Sequence, residues 1–188
     1  QTGVPLEEID LLINIGVFRD DNIIEPAIAP LIQRKLGLNL DPVKNNHIHR
    51  STFAFDINDG ENGFLTAACV ADSFFKTRSI QYALIVAGDI HPSQTDHPDF
   101  PFTPVASAAL LAHTEGDRRG FGGFHFKSSA NGSAGFCANV DLSQNKTGNR
   151  DRMTFYAPEH YEDRLGEFAA GMLHDLTARG EIEISGAD

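Results

Sequence analysis

Two short, almost unbroken apolar runs, Leu11 to Val17 and Tyr82 to Gly88, constrain this chain more than any other feature. A strand that alternates apolar and polar residues can face water. A strand apolar on both faces must be covered on both, as in a parallel sheet flanked by helices. Thr52 to Ile57 reads as a further strand between them, and helical patterns separate the three. From Ile24 to Leu36 apolar residues recur at helical spacing (Ile24, Ile28, Leu31, Leu36), with Gly37 placed as the terminating residue. Pro26 fits the first turn of that helix, whereas Pro30 must kink it or push its start later. A second helix is expected from Gly63 to Lys76, its buried stripe being Phe64, Ala67, Ala68, Ala71 and Phe75. The small alanines let it approach a sheet closely. Strands alternating with helices make βαβ units, so an α/β fold with a mainly parallel sheet and right-handed crossovers is expected.

Beyond this the pattern loosens. Asp89 to Pro104, rich in Pro, Asp, His and Ser, reads as a surface excursion of the kind that borders sites. Val105 to His113 reads as a strand, and the aromatic and glycine residues of Gly120 to Ser129 could pair beside it. Asn131 to Arg152 reads as loop, with Cys137 inside it. Tyr161, Leu165, Phe168, Met172 and Leu176 make an amphipathic helix ending at Gly180. The chain opens on Gln1 in a linker-like stretch, and Glu181 to Ser185 reads as the approach to another element. A single domain over residues 1–188, continued by further sequence at both ends, is therefore expected.

Composition removes several classes of function. At 188 residues, 41% hydrophobic and 22% charged, the chain is that of an ordinary globular protein. A net charge of −11, with only 15 Lys and Arg and no dense basic run, argues against a nucleic-acid partner. No apolar run has the roughly 18 to 20 residues of a membrane span, and no signal-peptide pattern opens the chain. Cys69 and Cys137 are too few for a metal or disulfide framework, so both are expected reduced, which points to the cytoplasm. His47 and His49 alternate on a loop without acidic or thiol neighbours and are read as exposed side chains, not metal ligands.

The stretch Phe55 to Phe64 has the form of a strand end, a tight turn and a helix start. Such a turn aims the residue before the helix toward unpaired backbone N–H groups and the positive end of the dipole. That residue is Glu61. It reads either as a helix-capping carboxylate or as a group aimed into a pocket at the helix N-terminus. Cys69, in mid-helix, reads as a packed structural thiol, and Glu25 as a helix-start charge.

These residues carry a resemblance. Glu8-Ile9-Asp10 before the first strand, Pro26, Leu36-Gly37, Phe55-Asp56 before the turn, Gly63-Phe64 after it, Ala71-Asp72, and Val86-Ala87-Gly88-Asp89 together resemble the N-terminal half of β-ketoacyl-acyl-carrier-protein synthase III. The resemblance covers Pro5 to His113 and fades beyond. It implies a thiolase-like layered α/β/α fold in which the 63–76 helix is central and buried. Of that fold the chain would hold about half. It further implies acyl transfer or condensation in fatty-acid or polyketide-type biosynthesis, on thioesters of coenzyme A or acyl carrier protein as substrates. No bound cofactor, metal or nucleotide is implied, and the protein is expected as a homodimer or as a heterodimer with a ketosynthase.

The departures matter as much. Where the family has its cysteine nucleophile this sequence has Glu61, or Asn62 after a one-residue shift, and these two are the candidate catalytic residues. A thiolate there captures an acyl group as a thioester, whereas a carboxylate would form a reactive anhydride. The family's glycine-rich run is here Phe102 to Ala108, which restricts the backbone. Its catalytic His and Asn belong to the second half, and none of His91, His97, His113, His125, His160 or His174 matches that role on spacing. Three readings remain: a synthase of altered nucleophile, with Glu61 as general base or orienting anion; a degenerate subunit completing an active partner; and an unrelated hydrolase-type domain, disfavoured because no Gly-x-Ser-x-Gly or phosphate-loop pattern appears.

Overall fold

The computed structural model describes residues 2–41, 43, 50–93, 100, 102–114, 120–128, 137–139 and 153–182. His47, His49 and His97 lie outside these. The chain forms two compact units, residues 1–124 with 141–152, and residues 125–140 with 153–188.

The first unit is built on four strands, β1 (Leu11–Asn14), β2 (Phe53–Asp56), β3 (Tyr82–Asp89) and β4 (Val105–Ala112), in the order β2-β1-β3-β4. β1 pairs in parallel with β2, Leu11 opposite Phe53, and with β3, Leu11 opposite Ala83. β4 runs antiparallel to β3, Tyr82 opposite Ala112 and Asp89 opposite Val105. β1 is buried along its whole length. Its neighbours cover both edges, and helices cover both faces. Leu11 and Ile13, with Ala83 and Ile85, pack against Ala67, Ala68, Ala71 and Phe75 of helix α2 (Gly63–Lys76). Leu12 points to the opposite side, where it joins Ile9, Leu38 and Ala29 of helix α1 (Ile28–Leu36). Strand periodicity of two thus assigns successive residues of β1 to different helices. This is the layered α/β arrangement expected from the continuous apolar runs.

α2 begins and ends at the expected residues. α1 ends as expected but starts at Ile28, the later start that Pro30 left open, so Pro26 precedes it and Pro30, which has no N–H to leave unpaired, occupies its first turn. Gly37 closes the helix at φ 72°, as expected. The expected stripe is corrected as well. Ile24, Leu31 and Leu36 are 64%, 44% and 42% exposed, while Ala29 and Gln33 face inward. Gln33 donates to the carbonyls of Leu38 and Thr52, so a buried amide ties the helix end to the approach to β2. Gly120 to Ser128 forms no strand beside β4.

In the second unit β5 (Cys137–Asn139) pairs antiparallel with β6 (Thr154–Tyr156), and helix α3 runs over Tyr161–Ala178. Cys137 is therefore half-buried in a short strand instead of a loop. Of the amphipathic stripe, Leu176 is buried, Tyr161, Phe168 and Met172 are half-buried and Leu165 is exposed.

Candidate functional site

Parallel pairing brings the C-terminal ends of β1, β2 and β3 to one edge of the sheet, and each ends on a polar residue: Asn14, Asp56 and Asp89. Each holds backbone. Asp89 Oδ1 accepts hydrogen bonds from the N–H groups of Val17 (2.8 Å) and Phe18 (2.7 Å), fixing the chain that leaves β1. Asp56 accepts from Ile28 N at 2.8 Å and Ala29 N at 2.7 Å. Those are the first two donors of α1, whose own N-cap, Ala27, supplies no side-chain bond. A strand carboxylate thus caps the helix and meets its positive end. Asn14 Oδ1 accepts from Gly16 N at 3.4 Å.

The backbones beyond β1 and β3 then converge. A Cβ on Gly16 would lie 2.4 Å from Gly88 O, so only glycine fits. Gly63, the first residue of α2, is similarly close to β1's continuation, its hypothetical Cβ lying 3.3 Å from the Ile15 side chain. These approaches seat the start of α2 against the ends of the strands.

The turn joining β2 to α2 carries the residues expected at the site. Ile57 N donates to Asn14 O, the Thr66 hydroxyl donates to Asp59 Oδ2, and Gly60–Asn62 form one 3-10 turn entered by Gly60 at φ 51°. Glu61, expected just before the helix, lies one position further back inside that turn, because the 3-10 turn runs to Asn62 and it is Asn62 that directly precedes α2. Both side chains are exposed. Asn62 makes no side-chain capping bond, and the Glu61 carboxylate has no hydrogen-bond or ion-pair partner among the described residues.

Sequence reading missed Arg19. It opens the polar run Arg19 to Asn22, yet it is 8% exposed. Its Nη2 donates to Gly16 O at 3.2 Å and to Asn58 Oδ1 at 3.0 Å, and lies 3.0 Å from Asp56 Oδ2. No local signal could reveal this, because Asn58 is 39 positions away.

The histidines do not gather here. His91 is buried, its Nδ1 bonded to Ser93 and its ring edge-on to Phe100 within an aromatic group that includes Phe18 and Phe102. His113, His125, His160 and His174 are exposed. Cys69 is half-buried within α2. Among the described residues no cluster of three or more His, Cys, Asp or Glu could hold a metal ion, and no helix is long and apolar enough to cross a membrane.

A family described as 3-oxoacyl-[acyl-carrier-protein (ACP)] synthase III matches residues 55–132. The β-ketoacyl-[acyl-carrier-protein] synthase III of Acholeplasma laidlawii is 33% identical over 109 residues, 56% of this chain and 32% of the relative. That of Desulfotalea psychrophila is 26% identical over 176 residues, 92% of this chain and 45% of the relative. The crystal structure of a 3-oxoacyl-(acyl-carrier-protein) synthase III superposes with a TM-score of 0.50 at 20% identity, over 76% of this chain and 36% of that one. The chain spans about a third to a half of the length of the curated relatives it matches.

Proposed function

From the premise that this chain is synthase III-like with a thiolase-type fold, we propose that it acts on acyl thioesters of coenzyme A or acyl carrier protein. The chemistry is acyl transfer or condensation of fatty-acid or polyketide type, with a non-thiol residue in the nucleophile position. The single observation supporting this is the construction of the turn. β2, the 3-10 turn and the Gly63 start of α2, which is seated on Ile15, retain the scaffold that presents residue 61 before a buried helix. Glu61 serves there as general base or orienting anion, with Asn62 beside it, instead of carrying the acyl group. The protein works in the cytoplasm as a homodimer, or as a heterodimer with a ketosynthase.

A second reading has its own support. The Glu61 carboxylate is exposed, and among the described residues no neighbouring base or orienting group is bonded to it. A degenerate subunit that completes an active ketosynthase needs none. Incubating the full-length protein with malonyl and acyl thioesters separates the two: turnover that disappears in Glu61→Ala marks catalysis, and turnover in neither marks the partner role. Glu61→Cys asks whether the position admits an acyl thioester. Covalent acylation of the introduced thiol is the expected result, and its absence with both thioester classes would sink the acyl-site reading.

A further inference from the structure

We infer that Arg19 is a positioning residue for the turn that carries position 61, working through Asn58. The guanidinium is buried, and its hydrogen bonds are concentrated on one nitrogen. Nη2 serves Gly16 O and Asn58 Oδ1 beside Asp56, while Nε and Nη1 are buried without a hydrogen-bond partner. A side chain recruited only to neutralise Asp56 would face it with two donors, the bidentate geometry that gives arginine pairs their strength. Here one corner of the fork is shared among three segments: the loop after β1, the end of β2, and the turn before α2.

Arg19 is itself held firmly. The N–H groups of Val17 and Phe18 are bound to Asp89, so the guanidinium extends from a segment fixed to the end of β3. Asp56 is fixed in turn to the start of α1. Asn58 is the one exposed member of the network, and it lies three residues before Glu61. The link from Arg19 to Asn58 therefore transmits the rigidity of the sheet edge to the residue-61 turn. Lysine could supply the charge and the donors, but its side chain ends one bond short of the Nη2 position at which the three acceptors meet.

The inference takes the importance of position 61 from the function proposed above, and its test avoids acyl chemistry so that the two can fail separately. In a Glu61→Cys, Cys69→Ala, Cys137→Ala protein, the rate of alkylation by iodoacetamide is followed against pH. A thiol near the positive end of α2 titrates below the free-thiol value of about 8.5. Adding Asn58→Ala, which removes one exposed amide and leaves the buried Arg19–Asp56 pair, is expected to raise that titration by about half a unit or more toward the free value. Arg19→Lys is expected to do the same, although it keeps the charge. A parent thiol titrating at the free value, or one that neither substitution moves, overturns the inference. Loss of thioester activity with the thiol titration intact would count against the proposed function alone.

Discussion

Gly16→Ala gives the sharpest test of how the site edge is assembled. The added methyl would sit 2.4 Å from Gly88 O, 3.2 Å from Gly88 N and 3.3 Å from Gly88 C, whereas ordinary contact begins at 3.4 Å. The obstruction is backbone, so no rotamer change relieves it. Restoring contact distance requires the continuations of β1 and β3 to part by about 1 Å. The nearest pairing bond, Ile15 N to Val86 O at 2.9 Å, would then stretch beyond hydrogen-bonding range. Overpacking costs about 1–3 kcal/mol and loss of one buried backbone bond about 1 kcal/mol. A destabilisation of about 2–4 kcal/mol follows, or a fall in Tm on the order of 5–15 °C for a chain of this size. Urea denaturation followed by circular dichroism reads it directly. Gly88→Ala is the internal control: its methyl would meet only Ala106 Cβ, at an ordinary 3.7 Å, so a change within about 1 kcal/mol is expected. A Gly16→Ala loss below about 0.5 kcal/mol, or equal losses in the two variants, would refute the close backbone crossing.

Other consequences can be measured in the same way. Asp56→Ala removes the carboxylate facing buried Arg19 and the acceptor of two α1 donors, so a loss of about 3–5 kcal/mol is expected; a denaturation midpoint close to that of the parent would show that the pair is dispensable. Ala71→Leu forces extra volume between α2 and Leu11, Ile13, Ala83 and Ile85 and should cost about 1–3 kcal/mol, while Leu65→Ala on the exposed face should change stability by less than about 0.5 kcal/mol. In the second unit, the hydrogen bond and charge of Lys127 hold the Asp175 carboxyl below the usual carboxylate range. Because the folded-state value is depressed, the pair's contribution is present above the unfolded carboxylate value and fades as pH falls through the folded one. Carboxyl NMR titration should show Asp175 returning toward the ordinary value in Lys127→Met, and an unmoved titration would assign the depression to another cause.

The sequence by itself determined the frame. Apolar runs covered on both faces required a parallel core, and β1 is buried throughout. The Gly63–Lys76 helix was legible to its ends because alanine spacing and the glycine start leave few alternatives, and the order of elements carried the resemblance to synthase III. Glu61 and Asn62 could be located at the turn before that helix, though not their exposure, which depends on what packs over the turn. In α1 the apolar periodicity misled, since the residues that face the sheet are Ala29 and the amide of Gln33, whose partners are backbone carbonyls that no hydrophobic pattern records.

Only the tertiary structure decided how the site edge is held. Arg19 stands locally in a polar run, yet parallel pairing places it beside Asp56 and Asn58, and the same pairing brings Gly16 against Gly88. Periodicity is a property of neighbours in sequence, so it fixes which face of each element is apolar. Ion pairs, carboxylate caps and backbone crossings join residues tens of positions apart, and they exist only once the strands have been laid side by side.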